Sequence, residues 1–362
     1  MNLIDPEISG VRKLNSSMEK TEQNRVLDIE LSRTFAKMGF VSAAMIVYLH
    51  TGSAVKGESC WILHNILHSV CSVAIPWFFF AAGFFLALRI GEQDWYLKAV
   101  VKRIRTLLVP FWIWGSIIFC FYCAVALIIK HYGYDFHGKD YLDCISVRGL
   151  LRVAGLDYAG NMPTMWFLRT LFIFVVLSPL LYKSRKIIIG MALIAYLLFV
   201  HYQDALPKSM QYVLEFLISL RGLFYFLLGI LYAKSNHGLN HLILTCLIAA
   251  GLIFLCLHLT TDIKCCSVLM VPGLMAAIFH VCSRVSVPQW LTSTSFGVYV
   301  THSMLAYLMF GVFSVLHIGR AGETLFVYGF LRFLLVCGSA VVLVCVLKRI
   351  APNVSRIMFG GR

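Results

Sequence analysis

Ten apolar runs, at 34–50, 69–88, 107–129, 166–182, 187–201, 211–232, 240–260, 266–283, 291–316 and 324–347, alternate with short polar stretches. A helix that crosses a bilayer needs about 20 mostly apolar residues, and most of the runs are close to that length. They are continuous. A transmembrane barrel would instead show short segments of alternating polarity. The pattern therefore predicts an all-α polytopic membrane bundle of about ten transmembrane helices. Residues 1–24 are polar and mixed in charge, and read as a disordered tail. Residues 25–350 read as the integral membrane domain, and 351–362 as a basic tail. No signal peptide is visible.

Composition agrees with the pattern. Of 362 residues, 60% are hydrophobic and 13% charged, and the mean hydropathy is +0.81. That excludes a soluble globular enzyme and a disordered chain. The formal net charge of +14 changes the picture only through its placement. If the loops alternate between two sides, one side collects 20 of the 31 Lys and Arg residues and the other 8, while Arg169, Arg221 and Arg332 fall inside runs. Cytoplasmic loops carry the excess of Lys and Arg, so both termini are expected in the cytoplasm and no nucleic acid is implied. The long 130–165 loop, with Asp135, Asp140, Asp143 and Asp157, reads as a solvated loop or as a cover over a site. Most of the twelve cysteines lie inside apolar runs and behave as small hydrophobes. Cys120 and Cys123 form a lone C-x-x-C without the further ligands a zinc site needs. His64 and His68 share a helical face without the intervening Glu of a zinc hydrolase. No metal site is expected.

Ionisable residues within the bilayer are costly and mark candidate sites. His50 ends the first run; an imidazole there is either interfacial or a general base working near neutral pH. Lys102, Arg103 and Arg105 sit at the mouth of the third run. They are either a positive-inside anchor or a phosphate clamp. Arg221 is expected to face the bundle interior, Arg332 to snorkel, and His302 to contact a site or pack at an interface. Gly83, Gly229 and Gly297 are expected to let helices approach closely.

The string Pro76-Trp-Phe78-Phe79-Phe80-Ala-Ala82-Gly83, followed by Lys102-Arg103-Ile-Arg105 before Pro110, resembles the acyltransferase-3 family of integral membrane acyltransferases. The resemblance continues at Met165-Trp166-Phe167-Leu168, at Pro179, at Arg221-Gly-Leu-Phe-Tyr-Phe-Leu-Leu-Gly229 and at Ser295-Phe-Gly297-Val-Tyr299-Val-Thr-His302. It implies transfer of an acyl group, most often acetyl, from cytoplasmic acyl-CoA to a hydroxyl of a cell-surface carbohydrate or lipid-linked sugar. Acyl-CoA is then a co-substrate and no bound cofactor is implied; the setting would be a bacterial inner membrane. His50 matches the family's first-span histidine and would be the base. Lys102, Arg103 and Arg105 would hold the donor, and Arg221, Trp166 and His302 would position donor or acceptor. Two positions depart from the family. Gly39 stands where its first-span Arg is expected, and Ala82 where a Ser precedes Gly83. Arg33, seventeen residues before His50, would lie about 25 Å away along a helix, too far to share an atom with it. The rival readings are a transporter of a sugar or acylated substrate, and a catalytically inactive relative acting as a scaffold.

Overall fold

The computed structural model describes residues 6–54, 57, 59–91, 93–132, 146–147, 165–183, 186–234, 241–261, 263–315 and 325–361, with backbone alone for 6–28, 122, 126, 129–130, 132 and 314–315. Asp135, Asp140, Asp143 and Asp157 lie outside the described residues. The described residues are helical, with no strand. In chain order the helices are α1 (Pro6–Thr51), α2 (Trp61–Cys71), α3 (Ala74–Ala87), α4 (Trp95–Arg103), α5 (Val109–Tyr132), α6 (Trp166–Val176) and α7 (Ser178–Tyr182). There follow α8 (Lys186–Tyr202), α9 (Lys208–Tyr212), α10 (Leu220–Lys234), α11 (His241–Thr260) and α12 (Cys266–Arg284). The last are α13 (Gln289–Thr292), α14 (Ser295–Val315), α15 (Leu325–Ile350) and α16 (Pro352–Met358).

Over their described residues, all ten apolar runs are mainly helical. Among the described residues, eight helical stretches are long and apolar enough to cross a membrane. The other two expected spans are the second half of α1, whose hydropathy Lys37 and His50 reduce, and the short α6. At the two ends, α1 begins at Pro6, which opens the helix where its missing N–H costs nothing, and α1 contains no further proline. Residues 352–358 form a short helix, and Phe359 behind them is buried.

Small residues set the closest contacts. A Cβ on Gly83 would collide with the Phe226 carbonyl, and one on Gly229 with the Phe80 carbonyl. The backbones of α3 and α10 therefore touch, and any larger residue at either position would force them apart. In lipid, where tails are as apolar as leucine, such close packing is the main drive for helix association. Gly297 plays the same part on α14, since a Cβ there would strike Val344 of α15. Aromatic rings fill the space around α3: Phe35 of α1 lies 4.8 Å from Trp77 and 4.7 Å from Phe84. α1 runs through the middle of the bundle, against α3, α12, α14 and α15. α11 and α15 are largely unburied and carry their apolar side chains outward, as Leu242 and Ile253 show. This is the inverse of a soluble protein and suits a lipid environment.

One helical break accounts for an intramembrane cation. After α9 a π-turn, Val213–Leu217, ends at Ser219, whose φ is +47°. The Ser219 hydroxyl accepts from the Gly222 N–H at 3.1 Å and restarts the helix as α10. The Phe216 carbonyl accepts from Arg169 Nη2 at 3.3 Å and from the Thr170 hydroxyl at 2.5 Å. Arg169 therefore stabilises a broken helix.

Candidate functional site

A second π-turn, Ile104–Leu108, joins α4 to α5. The extra residue in such a turn shifts the helical phase, and π-turns recur at functional positions. Here it falls within the basic stretch, and the result is a cavity of about 1020 Å³. Arg89, Lys98, Lys102, Arg103, Arg105 and Arg356 line it beside apolar side chains such as Phe85, Leu97 and Ile357, and among the described residues no acidic side chain does. Thr106 also lines it, and its buried hydroxyl has no hydrogen-bond partner. Six cationic side chains around one cavity are matched to an anion rich in oxygen acceptors. Lys102, Arg103 and Arg105 are brought together as the sequence suggests. Arg89 and Lys98 belong to the same basic stretch, but Arg356 has no local sequence signal and joins from about 250 residues away.

A second cavity, about 360 Å³, lies deeper among α1, α3, α6 and α14. It shares Phe85 and Arg103 with the first. Both departures from the family string, Gly39 and Ala82, face into it. A Cβ on Gly39 would meet only Ser295 Oγ, at 4.0 Å, so the missing side chain leaves space. Arg103 is the cation that reaches this space. The rings of Phe78, Phe167 and Tyr299 also line the cavity and lie 5.8–6.2 Å from one another, a mutually packed aromatic set.

Tyr299 connects this cavity to the two histidines. Its ring centroid is 6.1 Å from that of His302, and the His302 and His50 rings are 5.2 Å apart and tilted by 36°. His302 is fully buried, and its Nδ1 lies 2.5 Å from the Tyr299 carbonyl. A carbonyl can only accept, so Nδ1 carries the proton and Nε2 of the neutral ring presents a lone pair. That Nε2 has no partner within the protein. His50, by contrast, is exposed at the end of α1. One imidazole is thus accessible to a reacting hydroxyl, and its neighbour is locked in one tautomer.

Arg332 holds the end of α1 near His50. It is turned inward and does not snorkel as expected: its Nη2 donates to Ser53 Oγ at 2.8 Å, and its guanidinium lies 4.1 Å from the Phe310 ring centroid. The hydroxyl and the ring give the charge partners in the interior, so it need not reach for the interface. His64 is likewise engaged, with Nδ1 3.0 Å from the Tyr48 hydroxyl. No group of three or more His, Cys, Asp or Glu among the described residues could hold a metal ion.

Of the expected site residues, His50, His302, Trp166 and Arg221 line neither cavity. Trp166 packs on Phe216 and Phe79, while its neighbours Phe167, Leu168 and Leu171 line the deeper cavity. Arg221 lies within electrostatic reach of Tyr196 and Tyr225 on the α8–α10 side and lines neither cavity. Helical phase decides both cases, and an interior arginine does not reveal from sequence which interior it faces.

Neither the curated proteins nor the solved structures compared with this chain gave a match. A family model described as an acyltransferase domain matches residues 40–349. The match takes in the Lys102–Arg105 stretch and both imidazoles, and on it the chain belongs to the acyltransferase-3 family of integral membrane proteins.

Proposed function

We propose that the protein moves an acyl group, acetyl in the simplest case, from acyl-CoA to a hydroxyl of a cell-surface carbohydrate or lipid-linked sugar. The observation that carries this reading is the sharing of Arg103 and Phe85 by a cationic cavity and a deeper aromatic one. Acyl-CoA has the complementary shape: a phosphate-rich head and a slender arm ending in the thioester. The head would lie among Lys102, Arg103, Arg105 and their cationic neighbours on the cytoplasmic side, where the positive-inside bias places this stretch. The arm would enter the deeper cavity, beside Gly39 and Ala82. Arg103, at the junction, would stand in for the cation that Gly39 lacks. The setting would be the inner membrane of a bacterium.

His50 would take the proton of the acceptor hydroxyl as the oxygen attacks the thioester carbonyl. His302, with Nδ1–H tied to the Tyr299 carbonyl, would offer Nε2 beside it and help orient the pair. Collapse of the tetrahedral adduct breaks the C–S bond. The proton held by His50 passes to the departing thiolate, leaving an ester and free CoA. Gly39 and His50 are eleven residues apart, about 16 Å along α1, a distance the arm must cover. The packed rings of Phe78, Phe167 and Tyr299 would have to part as it does so.

The test is transfer from radiolabelled acetyl-CoA to glycolipid in membranes holding matched amounts of wild type, His50→Ala or Arg103→Ala/Arg105→Ala. Transfer by the wild type, lost in both variants, is the expected result. Transfer that survives His50→Ala removes His50 as the base. Uptake of a labelled sugar without any need for acyl-CoA would instead favour a transporter.

A further inference from the structure

We infer that residues 352–361 form a wall of the donor cavity, with Arg356 supplying a phosphate contact and Trp114 and Phe359 holding it in place. This rests on the donor reading above, but its observations are separate. The segment lies beyond the residues matched by the family. Even so, Arg356, Ile357, Gly360 and Gly361 all line the 1020 Å³ cavity.

The segment is built into the fold. Pro352 opens α16 in the first turn, where its missing N–H is harmless. At its far end the Trp114 indole N–H donates to the Met358 carbonyl at 3.0 Å. The Phe359 ring is 1% exposed and stacks on Trp114, with centroids 5.9 Å apart and planes at 20°. The chain then turns back through Gly360, at φ +67°, and Gly361, at φ +76°. The Gly361 N–H donates to the Arg356 carbonyl at 2.6 Å, which closes the turn on the residue that carries the cation. Gly360 lies directly over the π-turn: a Cβ there would come within 2.6 Å of the Thr106 carbonyl. Only glycine meets both demands, the left-handed φ and the close approach.

The wall therefore covers the one residue of the π-turn whose hydroxyl is buried and unpartnered. The Arg356 fork, set with Lys102, Arg103 and Arg105 around one cavity, suits an oxygen-rich anion, and a phosphate fits it. Free nucleotide phosphate and the headgroup of an anionic lipid share this chemistry; the inference commits to the phosphates of the acyl donor.

The test measures binding of radiolabelled CoA to the full chain in phosphatidylcholine nanodiscs. Arg356→Gln should raise Kd about tenfold, the loss of one charge-assisted contact, and Arg356→Lys should restore part of it. Phe359→Ala should weaken binding similarly, and adding Arg356→Gln in that background should change little further, because the anchor acts only by placing the arginine. An unchanged Kd in Arg356→Gln, beside a weakened Arg103→Gln, overturns the inference and leaves the donor reading standing. Absence of CoA binding by the wild type overturns both. If Arg356→Gln leaves CoA binding intact and, in a parallel set of nanodiscs containing phosphatidylglycerol, changes only the retention of that lipid, the wall serves a lipid and the inference fails.

Discussion

The cationic cavity and the His50–His302 pair leave their side chains very different freedom. The cavity is wide, and its long Lys and Arg side chains approach from α4, the π-turn and α16. Each has several rotatable bonds, and a phosphate can be met from many directions. The histidines are the reverse. His302 is fully buried, has one nitrogen committed to a carbonyl, and packs between Tyr299 and His50. A flexible set of charges is suited to capturing a donor, whereas an accessible imidazole beside a locked one is suited to a proton transfer with strict geometry. The comparison predicts that damage at one end should appear in binding and damage at the other in turnover.

His50→Ala offers the sharpest break: kcat should fall by about a hundredfold or more, with CoA affinity unchanged in a direct binding assay. If affinity falls with kcat, the two ends are not separable. Gly39→Leu tests the passage between them. The added side chain would occupy the deeper cavity, so transfer should drop by about a hundredfold through misplacement of the thioester, while CoA itself should still bind the cationic cavity. Unimpaired transfer in that variant would mean the arm takes another route.

Arg103→Gln should act the opposite way to His50→Ala, raising the donor KM about tenfold with a smaller change in kcat. The smallest effect should come from salt. Raising ionic strength from about 0.05 to about 0.3 M shortens the Debye length to well under 10 Å. Donor KM should rise by about two- to threefold, with kcat at saturating donor unmoved. A kcat that tracks salt as steeply as KM would place a mobile charge at the chemical step.

The ten apolar runs were legible because a bilayer imposes one requirement on every span, a length of uninterrupted apolar sequence. The close contacts at Gly83, Gly229 and Gly297 were legible for a related reason: small residues in apolar helices mark backbone approach. The cluster of Lys102, Arg103 and Arg105 was legible because it is local. Other features were not. Arg332 reads as a snorkelling residue, and only the Ser53 hydroxyl and the Phe310 ring, brought up by other parts of the chain, turn it inward. Trp166 sits one helical step from the residues that line the deeper cavity, a matter of phase that apolarity alone does not fix.

Residue types and their order therefore determined the membrane-spanning helices, the charge asymmetry and the family. Each depends on neighbours along the chain, and lipid acts on each helix separately. Tertiary structure alone decided that Arg356 lines the same cavity as Arg103, that Gly39 and Ala82 open into one cavity, and that His302 stands beside His50. Those relations depend on how helices far apart in sequence are rotated and paired, and on two π-turns that reset helical phase. No periodicity within a single run encodes either.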